Sequence, residues 1–491
     1  MQKTAKQLRL DLFMWMVVMA LFMAGIWMRL HLLNVPLDRD SYDEGVYWQS
    51  LRSMSTGASL YQQIFYSQPP FFLLSIYPIY ALLGQTIWSA RLGVTIISLC
   101  GFLGVLLLGK ALAGRLGMLL ALLLLVINPF YLAESQTLQA DGPSTALVLL
   151  AVGLAYLWWK RPDGMVGYLL ATLTGITLAL SILTKLLALS ALIPISMLAY
   201  THLWAGRKQA LLPILLGCIA FILAITLLLL PFGHAFPQLW RTVVTFHTDA
   251  KSYYPNAQKQ DNIGIIRGVL ATLLSISALY GAIAAVFRRD WRVMPLLAWF
   301  VATIYLLWQE APLLQHHLVA LVPPLLALSV MGISPRLTIK NRSDILMNIV
   351  TVLAITVSLW QVVHNVKIIR ASYAHSRSMS NPGVMQHDMR AVHDLRQFTK
   401  PSQLVVTDSQ FIAAMADRNT PAGLVDVSFV RINSHYLTMQ TLIDEAEKPQ
   451  VHAVLFYTHR LEALGPQFHD WVKQHFHLVR DYGDKCELWV R

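Results

Sequence analysis

The chain has 491 residues, of which 56% are hydrophobic and only 13% charged. An ordinary soluble domain carries about twice that charged share, so a water-soluble enzyme is excluded. Lys and Arg outnumber Asp and Glu by 38 to 26, for a net charge of +12; the basic residues cluster in short segments between apolar runs, so they read as topology signals, and no nucleic-acid partner is expected.

Many apolar runs reach the roughly 20 residues that cross a bilayer core, and helices satisfy their own backbone there. The first run, residues 12–33, is too long for a signal-peptide core and lacks a clear cleavage site. Lys3, Lys6 and Arg9 precede it, which predicts a cytoplasmic N-terminus. Residues 38–47 follow, reading DRDSYDEGVY, with the acids Asp38, Asp40, Asp43 and Glu44. Carboxylates beside a bilayer are costly to keep without a role. On a helix beginning near Ser41, neighbours point about 100° apart, so Asp43 and Glu44 are expected to serve different partners. Asp38, Asp40 and Ser41 also suit the cap of a juxtamembrane helix.

This segment opens a non-spanning first outer loop over residues 34–89. Its apolar run 71–84 is only about 14 residues, short for a span, and is predicted to be a juxtamembrane helix. The next full span is 88–109, followed by Lys110 and Arg115. If 71–84 does not cross, these two and every later basic cluster fall inside. The remaining spans are then 118–132, 143–159, 167–184, 186–204, 210–230, 263–286, 293–308, 318–333 and 345–363. The fold class is thus a polytopic α-helical membrane protein of about 11 to 13 transmembrane helices. Residues 231–262 are expected to form a long outer loop with a polar aromatic cluster of Arg241, His247, Asp249, Lys251, Tyr253 and Tyr254, a composition that suits either sugar stacking or solvent. On this topology the acidic loop with Arg91, the loop 134–141, the turn at Lys185 and the loop 308–317 meet at one outer face.

Composition turns polar near residue 367, dividing the chain into a membrane domain, 1–366, and a soluble domain, 367–491. Predicted strands at 404–407, 451–457 and 487–490 alternate with predicted helices at 385–398, 411–417, 437–447 and 464–475, which suggests a small extracytoplasmic α/β domain with a largely parallel sheet. It has no glycine-rich phosphate loop. Cys100, Cys218 and Cys486 are too scattered for a disulfide framework or a zinc site.

An Asp43-Glu44 pair in the first outer loop, a Pro69-Pro70 stretch, Ser89-Ala90-Arg91-Leu92, a later acid at Asp141, Leu183-Thr184-Lys185 and QHHLVALVPPLLAL at 315–328 occur in that order. In order and sidedness they resemble the GT-C superfamily of integral-membrane glycosyltransferases, nearest to bacterial relatives of protein O-mannosyltransferases and lipid A aminoarabinose transferase. The bacterial pattern has Arg-Leu-Pro where this chain has Arg91-Leu92-Gly93. The resemblance implies a GT-C-like fold in the plasma (inner) membrane. It implies transfer of a sugar from a polyprenyl-phosphate donor to a lipid, glycan or protein acceptor at the extracytoplasmic face, with inversion.

By position, Asp43 resembles the catalytic base, Glu44 its companion and Asp141 a second acid that positions the acceptor or a metal; Glu134 is a weaker candidate. Asp141 equally suits a helix N-terminus, since Gly142-Pro143 open the next span. A departing lipid phosphate needs cationic donors, and Arg91, Lys185, His316 and His317 are the expected ones. Arg91 and Lys185 also suit snorkelling to the interface. His316-His317 lacks the one-turn spacing that puts two ligands on a helix face, so no metal ligand is assigned, and a divalent metal stays open. The competing class is a transporter, but paired halves and charges at the bilayer midplane, common in transporters, are missing.

Overall fold

The first helix, α1 (Ala5–Leu30), shows how this chain meets a bilayer. Its Leu12, Phe13, Trp15, Met19, Met23 and Trp27 are all more than half exposed, which is stable only where lipid replaces water. The computed structural model describes residues 5–31, 33–34, 42–253, 256–333, 342–379 and 386–491. Asp38, Asp40 and Tyr254 lie outside the described residues.

Among the described residues, seven helices are long and apolar enough to cross a membrane, or eight if a bent pair counts as one span. After α1 come α2 (Tyr42–Ser55), α3 (Phe71–Leu82), α4 (Ile87–Ser98), α5 (Cys100–Val126), α6 (Pro129–Glu134), α7 (Asp141–Lys160) and α8 (Gly164–Thr184). α3 is one of three shorter apolar helices, with Val293–Gln309 and Gln315–Met331. α5 is not one rod: Ala113 and Gly114 leave helical geometry, and Gly114 takes φ 68°, ψ −145°, a region that glycine enters at little cost. The chain reverses there, between Lys110 and Arg115, as the basic pair predicts. α7 runs through the centre of the bundle. A Cβ on its Gly153 would stand 2.5 Å from the Gly104 carbonyl of α5, so small residues let these backbones touch, as is usual between helices in lipid.

Two expectations fail in the next stretch. Residues 231–262 are not a loop: helical structure runs on from Leu211 through Tyr253. Leu239, Val243, Phe246 and Ala250 are buried at helical spacing, a periodicity the charged residues between them disguise. Residues 263–286 are not one straight span either. Asn256–Leu270 and Leu273–Phe287 meet at a break, and the two arms are bent by 72°. The Val269 carbonyl accepts the Thr272 N–H (3.1 Å) and the hydroxyls of Thr272 and Ser275 (2.8 and 3.2 Å), so this acceptor stays satisfied at the break.

The long helix Arg342–Met379 carries the chain without interruption past the compositional boundary at 367. Beyond it, β1 (Leu404–Thr407), β2 (Val451–Phe456), β3 (His477–Gly483) and β4 (Cys486–Val490) form a sheet in the order β1-β2-β4-β3. The sheet is mixed, not largely parallel: only β1 and β2 run parallel, while β2–β4 and β3–β4 are antiparallel. β3 escaped the sequence reading because it is an edge strand with mostly exposed side chains, which leaves no apolar alternation. It joins β4 through Asp484 and Lys485, both at positive φ, the backbone that a tight hairpin demands. Buried side chains pack on both faces of this sheet, and a third cluster joins Phe411, Ala414 and Val425 of this domain to Trp48, Leu51, Phe72 and Ile76 of α2 and α3.

Candidate active site

α2 carries Asp43 and Glu44 in its first turn, and the two side chains diverge. Glu44 is fully buried and takes two bonds from Arg91 of α4, Nε at 3.0 Å and Nη2 at 2.7 Å. It also accepts the Leu138 backbone N–H. Arg91 Nη1 donates to the Leu33 carbonyl at 3.0 Å. Such a planar, bidentate pair is strong and directional. It ties α2 to α4 and to the segment ahead of α7. Arg91, expected among the phosphate donors, is bound to Glu44 in this structure, and its side chain is 2% exposed.

Asp43 points the other way, half-buried, into a cavity of about 500 Å³. Its Oδ2 lies 3.7 Å from His316 Nε2, which is 4.0 Å from Asp141 Oδ2. Lys185 Nζ donates to that same Asp141 oxygen at 2.6 Å. Each comes from a place where the chain changes course. Asp141 opens α7; Lys185 is the extended residue (φ −158°, ψ 135°) between α8 and the 3₁₀ turn Leu186–Ala191; His316 and His317 lie in the 3₁₀ turn Gln315–Leu321. Residues 141, 185 and 316 thus converge from three separate segments, and His317 lines the same cavity. Burial pushes the Asp43 carboxyl above its usual range, against the pull of His316 and Lys185. Burial, with Asp141 nearby, pushes Glu134 well above its usual range too.

Asp141, His316 and His317 each bring one donor atom within 4.8 Å of the others, with the two imidazole rings nearly perpendicular. The donors suit a divalent cation, but the Lys185 ammonium already sits on the Asp141 oxygen. A metal taking that oxygen would have to displace the ammonium, and no step below uses one.

Sequence reasoning missed the soluble domain's share of this cavity. Asp426, Phe429 and Arg460 line it. Tyr42, next to Asp43, donates to Asp426 Oδ1 (3.0 Å) and accepts the Val427 N–H (2.6 Å). Arg460 stacks 4.0 Å over the Tyr42 ring. Asp408 holds the loop that bears Arg460 by accepting the N–H groups of Tyr457, Thr458, Arg460 and Leu461. Nothing in sequence links these positions to residue 42. Of the polar cluster at 241–254, His247 lines the cavity and binds the Ser67 carbonyl (2.8 Å). Asp249 and Arg241 pack instead on Tyr436 of the soluble domain.

A family model described as dolichyl-phosphate-mannose-protein mannosyltransferase matches residues 59–247. No curated protein matches in sequence. Among solved structures, ArnT from Cupriavidus metallidurans in the apo state is 14% identical, with a TM-score of 0.61 over 99% of this chain and 98% of that one. The same protein bound to undecaprenyl phosphate is 15% identical, with a TM-score of 0.62 and the same coverage. The apo oligosaccharyltransferase of Archaeoglobus fulgidus is 13% identical, with a TM-score of 0.56 over 92% of this chain and 71% of that one. The chain has a GT-C-like fold, shared with these structures over nearly its whole length, the small mixed-sheet domain included.

Proposed function

We propose that this protein is a glycosyltransferase that takes a sugar from a polyprenyl-phosphate carrier and hands it to an acceptor at the extracytoplasmic face of the plasma membrane. The observation that carries this reading is the meeting of the Asp43 carboxylate, which faces the cavity, with Lys185 and His316 in its lining. The family-model match over 59–247 and the undecaprenyl phosphate held by a protein of the same fold support the donor class.

In this mechanism Asp43 accepts the proton of an acceptor hydroxyl as its oxygen attacks the anomeric carbon. The bond from that carbon to the phosphate oxygen breaks, and the lipid phosphate leaves with the electron pair. Attack opposite the leaving group inverts the centre. Lys185 turns from Asp141 toward the phosphate, with His316 and His317 adding donors where charge develops. Asp141 keeps Lys185 at this wall. Glu44 and Arg91 act behind the site by fixing the first turn of α2.

The test uses purified protein in lipid nanodiscs with a panel of polyprenyl-phosphate sugars and follows release of the free lipid phosphate. Release that depends on an added acceptor is expected. No release with any donor, alongside sugar or ion flux in proteoliposomes, would overturn the transferase in favour of a transporter.

A further inference from the structure

A second cavity, of about 670 Å³, adjoins the first and shares Gln315 and His316 with it. That volume is in the range of small-molecule sites. One side is apolar, with Leu273, Leu274, Leu325 and Ile368. The other presents Glu134 of α6 with Gln361 and Asn365, one turn apart on the helix Arg342–Met379. Gln361 and Asn365 are only 2% and 5% exposed. Among the described residues, Gln361 Oε1, Asn365 Nδ2 and Glu134 Oε2 have no hydrogen-bond partner. Buried amides on a membrane helix are costly unless something answers them.

The chemistry of these groups defines what answers. Gln361 Oε1 accepts and Asn365 Nδ2 donates, so the ligand must offer both donors and acceptors, as hydroxyls do. Among the described residues no Lys or Arg lines this cavity, whose basic side chains are the imidazoles of His316 and His364, so it lacks the fixed counter-charge for a phosphate that Lys185 gives the first cavity. Trp360 and Ile368 line it and are also exposed, on a helix whose stretch Asp344–Ala371 is long and apolar enough to span the membrane, so the cavity is reachable from lipid. The apolar side then suits a chain.

We propose that this cavity holds the uncharged, hydroxylated head of a lipid-borne substrate, with Gln361, Asn365 and Glu134 as its polar contacts and His316 as the shared wall with the reacting centre. Its assignment to a substrate rests on reading the adjoining cavity as a transferase site. Two lipids present this chemistry: the sugar of the donor and the head of a glycolipid acceptor.

The experiment needs no turnover. Protein in phosphatidylcholine nanodiscs is irradiated with an alkyl glucoside carrying a diazirine in its chain, and the labelled peptides are identified by mass spectrometry. The comparison probe has the same chain ending in phosphocholine. The glucoside should label the helix Arg342–Met379 at least about tenfold more than the phosphocholine probe, the scale of about one lost polar contact. The double variant Gln361→Leu, Asn365→Leu should abolish that preference; it replaces unanswered amides with apolar groups, so folding is expected to survive. If it does not fold, excess octyl glucoside should displace the label from the native protein. Displacement by polyprenyl-phosphoglucose but not by bare polyprenyl phosphate assigns the donor's sugar. Displacement by glucosyl diacylglycerol alone assigns the acceptor's head. Equal labelling by both probes, an unchanged preference in the double variant, or displacement by none of these lipids overturns the proposal. Labelling in a protein that shows no transferase activity would overturn the function above while leaving this site in place.

Discussion

At the scale of single residues, Asp43 carries the sharpest consequences. Its carboxyl is pushed above the usual range chiefly by burial, so ionising it in the folded protein costs stability that the unfolded chain does not pay. That penalty is absent at low pH and grows as pH rises through the folded value. Asp43→Asn is therefore expected to lower turnover by roughly 10²-fold or more, the scale of a lost general base, while the melting temperature at neutral pH stays level or rises. A clear fall in melting temperature would mean the carboxylate is structural. The same shift puts the acid limb of the pH–rate profile above the ordinary carboxylate value of 3.8. Since Lys185 pulls the Asp43 value down, Lys185→Met should move that limb to higher pH as well as weaken competition by free polyprenyl phosphate. A limb that stays put would detach Lys185 from Asp43. These residues were legible in the sequence because an unpaired charge in so apolar a chain stands out. The partner of Arg91 was not legible, because Glu44 lies 47 positions away and only the crossing of α2 and α4 brings them together.

At the scale of the element, α2 is held from both sides. The membrane domain grips Glu44; the soluble domain grips Gly45, Trp48, Gln49 and Arg52. Gln49 donates to the carbonyls of Gln410 (3.3 Å) and Arg418 (2.9 Å) and accepts the Thr420 N–H (3.3 Å). Arg52 reaches Asn419 (2.7 Å) and Asp417 (2.8 Å). Trp48 packs edge-on against Phe411. Gly45 makes this fit: a Cβ there would stand 2.5 Å from the Phe411 nitrogen. Gly45→Val should thus displace α2 and lower kcat strongly with little change in donor KM, and Gly45→Ala should do the same more mildly. If both variants keep normal kcat, the contact does not aim Asp43. Gln49→Leu removes three hydrogen bonds to buried backbone groups, at about 1–3 kcal/mol for each group left unsatisfied, and should lower the melting temperature measurably. The sequence marks α2 as a helix but shows only one of its two partners, since a soluble domain met more than 360 residues later leaves no local trace.

At the scale of the whole molecule, charge placement predicts topology. Reporter fusions after Arg115, Lys208 and Arg289 should report cytoplasm, and those after Gly84 and His234 the outside. An outside signal after Arg115 would move α3 into the bilayer as a crossing and separate Asp43 from Asp141, which the structure holds within reach of one histidine. The helical framework was legible because bilayer-length apolar runs are unambiguous. The 72° break and the mixed sheet were not. A helix bent in lipid keeps its composition, and an exposed edge strand has no hydrophobic pattern to read. The clamp on α2 also imposes an order on synthesis. Gln49 and Arg418 are 369 positions apart, so the helix bearing Asp43 is made long before its second support and gains it only when the residues around Arg418 have emerged and folded. Domains generally fold in the order they are made. A chain cut short before residue 400 would keep Asp43, Lys185 and His316 but lose the contacts that Gln49 and Arg52 make to residues 410–420, and it is expected to release no lipid phosphate in the assay above, because the helix that aims Asp43 would be held from one side alone.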